Sequence, residues 1–203
     1  MKFSYYRNIT PTDQTLIVSL IPKNGCTTLA NMCIQIHDII MPADELNQRS
    51  KYFLTHTNEH IIYNSTQWYK EQNADIKIAV KRDPVKRFLS FYKNRILFHN
   101  DFGKRISVDE LQQNFSYYEQ QLPFIRHALT QTHYGGLPEY YTHIFSMGEF
   151  DVIAELLSDL FDKKIIARHL QQGGNDIDIT LTPAQLNWIY DYYKIDYENG
   201  WCE

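Results

Sequence analysis

Two short segments carry residue types that can hold an oxyanion. The first is Pro22-Lys23-Asn24-Gly25-Cys26-Thr27-Thr28-Leu29, and the second is Lys81-Arg82-Asp83-Pro84, followed by Arg87, Ser90 and Tyr92. In the first, Gly25 permits a tight turn and close approach of a ligand to the backbone. Thr27 and Thr28 can cap a helix and donate hydroxyls to phosphate oxygens, while Lys23 brings a mobile ammonium. A charged hydrogen bond of this kind contributes about 1.5–3 kcal/mol. In the second, a planar Arg82 guanidinium can grip an oxyanion that the Ser90 hydroxyl, two turns into the next helix, also reaches. Each segment also has a plain reading: a strand-to-helix turn with a Thr cap, and a capping Arg-Asp pair beside a surface serine. A Walker A loop needs G-x-x-x-x-G-K-[ST]. Here Lys23 precedes the glycine and no glycine stands upstream of it, which disfavours a nucleoside-triphosphate-hydrolysing enzyme.

The elements around these segments would place both at one edge of a sheet. Leu16–Ile21 and Ile76–Val80 are short apolar runs that end at Pro22 and at Lys81-Arg82-Asp83-Pro84, as buried parallel strands do. Each enters a helix: Leu29, Met32, Cys33, Ile36 and Ile40 recur at helical spacing, as do Val85, Phe88, Leu89, Tyr92 and Ile96. Asp83 is the expected N-cap of the second helix, with Pro84 in its first turn. Lys51–Tyr63 reads as a strand or irregular segment, and Ser65–Gln72 as the start of a crossover helix. Helices are expected over Val108–Phe115, Tyr117–Leu129 and Asp151–Phe161, and from Thr182-Pro183 to about Tyr193, with strands at Tyr141–Ser146 and Lys164–Arg168. The repeated strand-then-helix order implies an α/β fold with a mainly parallel central sheet and helices on both faces. No linker or internal repeat interrupts it, so residues 1–203 are expected to form one domain.

Taken together, Pro22-Lys23-x-Gly25-x-Thr27-Thr28 and Arg82-Asp83-Pro84-x-x-Arg87-x-x-Ser90-x-Tyr92 resemble the paired motifs with which sulfotransferases bind 3′-phosphoadenosine 5′-phosphosulfate (PAPS). The resemblance leans toward Golgi-type carbohydrate sulfotransferases, including the heparan 2-O group, since Phe91-Tyr92 and Gln131-Thr132-His133-Tyr134 are similar too. It implies a P-loop-NTPase-like three-layer fold and PAPS as donor. It assigns Lys23, Asn24, Gly25, Cys26, Thr27 and Thr28 to the 5′-phosphosulfate end, and Arg82 and Ser90 to the 3′-phosphate. The Golgi enzymes carry a membrane anchor, whereas this chain starts close to its first expected strand, which points to a soluble bacterial relative.

Sulfuryl transfer needs positive charge at the departing phosphate oxygen and a base for the acceptor proton. Lys23 is the expected cation. His60 lies before the Arg82 strand at a spacing similar to that of the catalytic histidine in 2-O-sulfating enzymes and is the first candidate base; His56 is the second, Glu59 the third and Glu45 the fourth. The tyrosines and phenylalanines of Phe115–Phe124 and Tyr134–Phe145 fit a sugar pocket and core packing equally well. Gln171-Gln172-Gly173-Gly174-Asn175 reads as a surface connection or a closing loop.

Composition bounds the rest. The net charge of −4 argues against general nucleic-acid affinity, although Lys77, Lys81, Arg82, Lys86, Arg87, Lys93, Arg95, Lys104 and Arg105 crowd one region as a local anion site or a solvated face. Three cysteines without metal-like spacing suggest neither disulfides nor a metal site. No apolar run approaches the roughly 18 residues a spanning helix needs, and Met1–Thr10 does not read as a secretory signal, so a cytoplasmic location is expected. The function expected is sulfuryl transfer from PAPS to a small-molecule or carbohydrate acceptor, without metal. The competing readings are a P-loop kinase and a non-catalytic nucleotide-binding protein.

Overall fold

The computed structural model describes residues 3–9, 14–36, 61–63, 74–168 and 177–202. Its sheet contains β1 (Phe3–Ile9), β2 (Gln14–Ser19), β3 (Ile61–Tyr63), β4 (Ile76–Lys81) and β5 (His143–Ser146), in spatial order β3-β1-β2-β4-β5. β2, β4 and β5 are parallel, with Leu16 opposite Ile76 and Ile78 opposite His143. β1 is antiparallel to both its neighbours. The result is the expected α/β architecture, with three parallel strands flanked by helices.

Strand residues alternate between the two faces of a sheet, so a central strand needs apolar side chains on both. Leu16, Val18, Ile76, Ile78 and Val80 join one cluster with α1 (Cys26–Ile36) and with Phe150, Ile153 and Leu157 of the later helix Phe150–Phe161. On the opposite face Ala79 and Ile21 meet Tyr134, Tyr141 and Trp201, while Ile17 packs with Ala74 and Tyr140.

A second helical core lies beside the sheet. It is formed by α2 (Pro84–Phe91), the π-helix Tyr92–Phe98 that continues it, α3 (Val108–Gln113), α4 (Phe115–Tyr118), α5 (Leu122–His127) and the late helix Pro183–Tyr192. Phe91 meets Phe124 edge-on at 5.4 Å, and Phe115 meets Trp188 at 5.3 Å. Phe91, Phe124, Tyr134 and Tyr141 are buried and serve as core, and Phe115 and Trp188 pack partly buried against the same cluster as Phe91 and Phe124. Two further α-helices, α6 (Gln131–Gly135) and α9 (Lys194–Glu198), and a 3-10 turn at Pro138–Tyr140 complete the described helices, with Phe150–Phe161 numbered α7 and Pro183–Tyr192 α8.

Local chemistry sets the helix starts. Asp83 Oδ1 accepts from the Lys86 N–H at 2.8 Å, and Pro84 opens α2, as expected. Thr182 and Gln185 form a reciprocal capping box ahead of α8.

Several expectations are corrected. β1 was not anticipated. Lys164–Arg168 is not a strand, because side chains satisfy its backbone: Ser158 Oγ accepts from Ile165 N, Gln35 bonds both polar groups of Ile166, and Thr28 Oγ1 donates to the Arg168 carbonyl. The helix expected over Tyr117–Leu129 is split into α4 and α5, the latter restarting with Pro123 in its first turn, where the missing N–H costs nothing. The helix from Val108 stops at Gln113, followed by Asn114 as C-cap. Ser65–Gln72 and Gln171–Asn175 lie outside the described residues. Among the described residues no helix is long and apolar enough to cross a membrane.

Candidate functional site

The ends of β2 and β4 are neighbours in the sheet, so the segments that follow them meet. After β2 the chain makes a turn over Pro22–Gly25 and enters α1 at Cys26. Asn24 N donates to the Ile21 carbonyl at 3.1 Å, and both residues flanking Asn24 are left-handed: Lys23 at φ 67° and Gly25 at φ 68°. For Lys23 this conformation costs about 1–3 kcal/mol and has to be imposed by its surroundings. At Gly25 a side chain is excluded for a second reason, since a Cβ there would lie 2.1 Å from the Phe150 ring at the start of α7.

Three successive loop residues are gripped from the β4–α2 side. The Pro22 carbonyl accepts from Arg87 Nε at 3.0 Å, and the Lys23 carbonyl accepts from Arg82 Nη1 at 2.7 Å. Asn24 Nδ2 donates to the Val80 carbonyl and to Gln131 Oε1, each at 2.6 Å. Arg87 is fully buried, with its guanidinium 5.4 and 5.8 Å from the centres of the Tyr134 and Tyr193 rings. In the sequence Arg87 reads as part of the second motif and of a basic run that is a local anion site or a solvated face; the structure makes it an internal brace for the first loop.

That run does not form one patch. Arg95 pairs with Asp101 and Lys104 with Glu110, while Lys77 lies over the Tyr140 ring at 4.5 Å. Arg82, the buried Arg87 and Lys23 are the cations brought together at the loop. The Lys23 ammonium donates to Asn94 Oδ1 at 3.0 Å, in the π-helix. Single π-type turns widen a helix and are frequent at functional sites. Ser90, half-buried in α2, stands about one turn before Asn94.

Cys26, Thr27 and Thr28 are buried in the first turn of α1. The two threonines lie inside the helix and are not its caps. An α-helix leaves its first N–H groups without carbonyl partners within the helix and concentrates positive partial charge there, so this end suits an anion. His60, His56, Glu59 and Glu45 lie outside the described residues.

Two residues to which the sequence assigns no role at the site belong to this region. Gln131, which the sequence marks only as part of the family-like Gln131–Tyr134 segment, bonds both loops. His99 ends the π-helix, donating its N–H to the Asn94 carbonyl at 3.0 Å. Burial, and after it the charge of Arg95, hold its imidazole below the ordinary range; Lys23 acts in the same direction and Asp101 opposes them. No sequence motif marks His99.

The arginine of one loop and the lysine of the other thus meet where the ends of β2 and β4 lie side by side. The model of the sulfotransferase family matches residues 7–150, which include both loops, Ser90 and Gln131. The chain belongs to the sulfotransferase family. No curated protein and no solved structure matches it. Membership in the sulfotransferase family establishes a transferase that moves sulfuryl groups.

Proposed function

We propose that this sulfotransferase takes its sulfuryl group from PAPS and delivers it to a hydroxyl or amine, with a carbohydrate as acceptor. The observation that carries the reading is the bond from Arg82 to the Lys23 carbonyl, which makes the two motifs one cradle. In this reading the Lys23–Thr28 loop takes the 5′-phosphosulfate and Arg82 with Ser90 takes the 3′-phosphate. The acceptor oxygen or nitrogen forms the new bond to sulfur as the bond from sulfur to the bridging phosphate oxygen breaks. Lys23 stabilises the charge gathering on that oxygen. The acceptor proton passes to His60, with His56, Glu59 and Glu45 as the other candidates in that order.

The test is a thermal-shift comparison followed by transfer from labelled PAPS to sugar acceptors. Stabilisation by adenosine 3′,5′-bisphosphate but not by ATP, with label on the acceptor, is expected, because a ligand that binds the native state raises its stability by mass action. Protection by ATP alone would favour a kinase. Bisphosphate binding without transfer to any acceptor would favour a non-catalytic binding protein.

A further inference from the structure

We infer that Gln131 is a positioning residue that sets the spacing of the two anion loops and thereby the preference for a nucleotide phosphorylated at both ends. The inference rests on the PAPS reading above.

Gln131 is fully buried at the start of α6. Its carboxamide has two acceptor and two donor positions, and all four are used. Oε1 accepts from Asn24 Nδ2 at 2.6 Å and from Arg82 N at 3.1 Å. Nε2 donates to the Arg82 and Trp201 carbonyls, both at 2.9 Å. One amide thus fixes the first loop through Asn24 and the second through both backbone groups of Arg82.

The amide is itself held in place. Gln131 N donates to Asp196 Oδ2 at 2.8 Å, while Thr132 N and Oγ1 donate to Asp196 Oδ1 at 2.8 and 2.9 Å. Asp196 and Trp201 are buried and lie beyond the span matched by the family model. The geometry of both loops therefore depends on residues outside that span. A buried amide with every hydrogen bond made has one orientation, since any other leaves polar atoms unpaired. It presets the distance between the loops before ligand arrives, which spares a bisphosphate the cost of ordering them.

The test is the ratio of affinities for adenosine 3′,5′-bisphosphate, which spans both loops, and adenosine 5′-monophosphate, which occupies the first. Calorimetry on Gln131→Met, similar in size but unable to make these bonds, is expected to show that ratio reduced about tenfold or more. General loosening would weaken both ligands alike, so an unchanged ratio would overturn the proposal. Failure of the unsubstituted protein to bind the bisphosphate would overturn the PAPS reading as well, and it would appear before any substitution is made. Should Gln131→Met not fold, hydrogen exchange on the unsubstituted, ligand-free protein decides. The Arg82 amide is expected to exchange slowly, and exchange at the rate of an exposed loop amide would overturn the preset spacing.

Discussion

Arg82 Nη1 donates to the main-chain carbonyl of Lys23 at 2.7 Å, so the arginine of one motif holds the backbone that carries the lysine of the other. The bond bears on the unusual Lys23 backbone, because a left-handed non-glycine residue persists only where its neighbours impose it. Arg82 therefore orients the loop that carries Lys23, and in the proposed reading it also presents charge to the ligand.

Arg82→Ala is expected to weaken adenosine 3′,5′-bisphosphate binding by about 10- to 100-fold, the range of a lost charged hydrogen bond. Arg82→Lys should recover little of this, since an ammonium lacks the fork that reaches a phosphate and a carbonyl together. Calorimetry checks both.

Gly25→Ala is expected to destabilise the fold by ~2 kcal/mol or more, combining the left-handed conformation with the overlap on Phe150. Thermal denaturation should show a drop of about 4 °C or more. Phe150→Leu in the same chain should return part of that loss and none of the conformational share.

Asn94 holds the Lys23 ammonium through a neutral oxygen. Asn94→Asp replaces it with a carboxylate, a stronger partner for the lysine. Turnover is expected to fall about tenfold, and Asn94→Ala should lower it less; steady-state kinetics with PAPS separates the two.

The His99 imidazole is expected to titrate below its ordinary 6.5 because burial and the Arg95 charge disfavour its cation. Below 6.5 the unfolded chain then binds the proton more readily, so this group makes stability rise with pH between the lowered value and 6.5 and stay level above. Histidine NMR checks the midpoint, and Asp101→Asn should move it lower still.

His60→Ala is expected to abolish turnover while bisphosphate affinity stays unchanged, measured by labelled transfer and calorimetry. Persistent turnover would move the base assignment to His56, Glu59 or Glu45.

The parallel strands were legible because burial on both faces demands apolar runs, and Leu16–Val18 and Ile76–Val80 supply them. The starts of α2 and α8 were legible because Asp83-Pro84 and Thr182-Pro183 encode their own caps. β1 was not, since Phe3–Ile9 mixes polar and apolar residues in place of an apolar run, and it pairs with its neighbour β2 on one side and with the distant β3 on the other. Lys164–Arg168 misled for the converse reason, as Ile165 and Ile166 look strand-like but bond to Ser158 and Gln35 side chains. Within the site, Arg82 and Lys23 could be named from motif spacing. The roles of Gln131 and Arg87 could not, because an internal amide or guanidinium is defined by what surrounds it in space.

The bond between the Gln131 carboxamide and the Trp201 carbonyl carries a consequence for biosynthesis. A ribosome adds about 5–20 residues per second and domains fold as units during synthesis. Residues 22–25, 82 and 131 emerge well before residue 201, so for several seconds the nascent polypeptide lacks the carbonyl that completes the hydrogen bonds of the Gln131 amide.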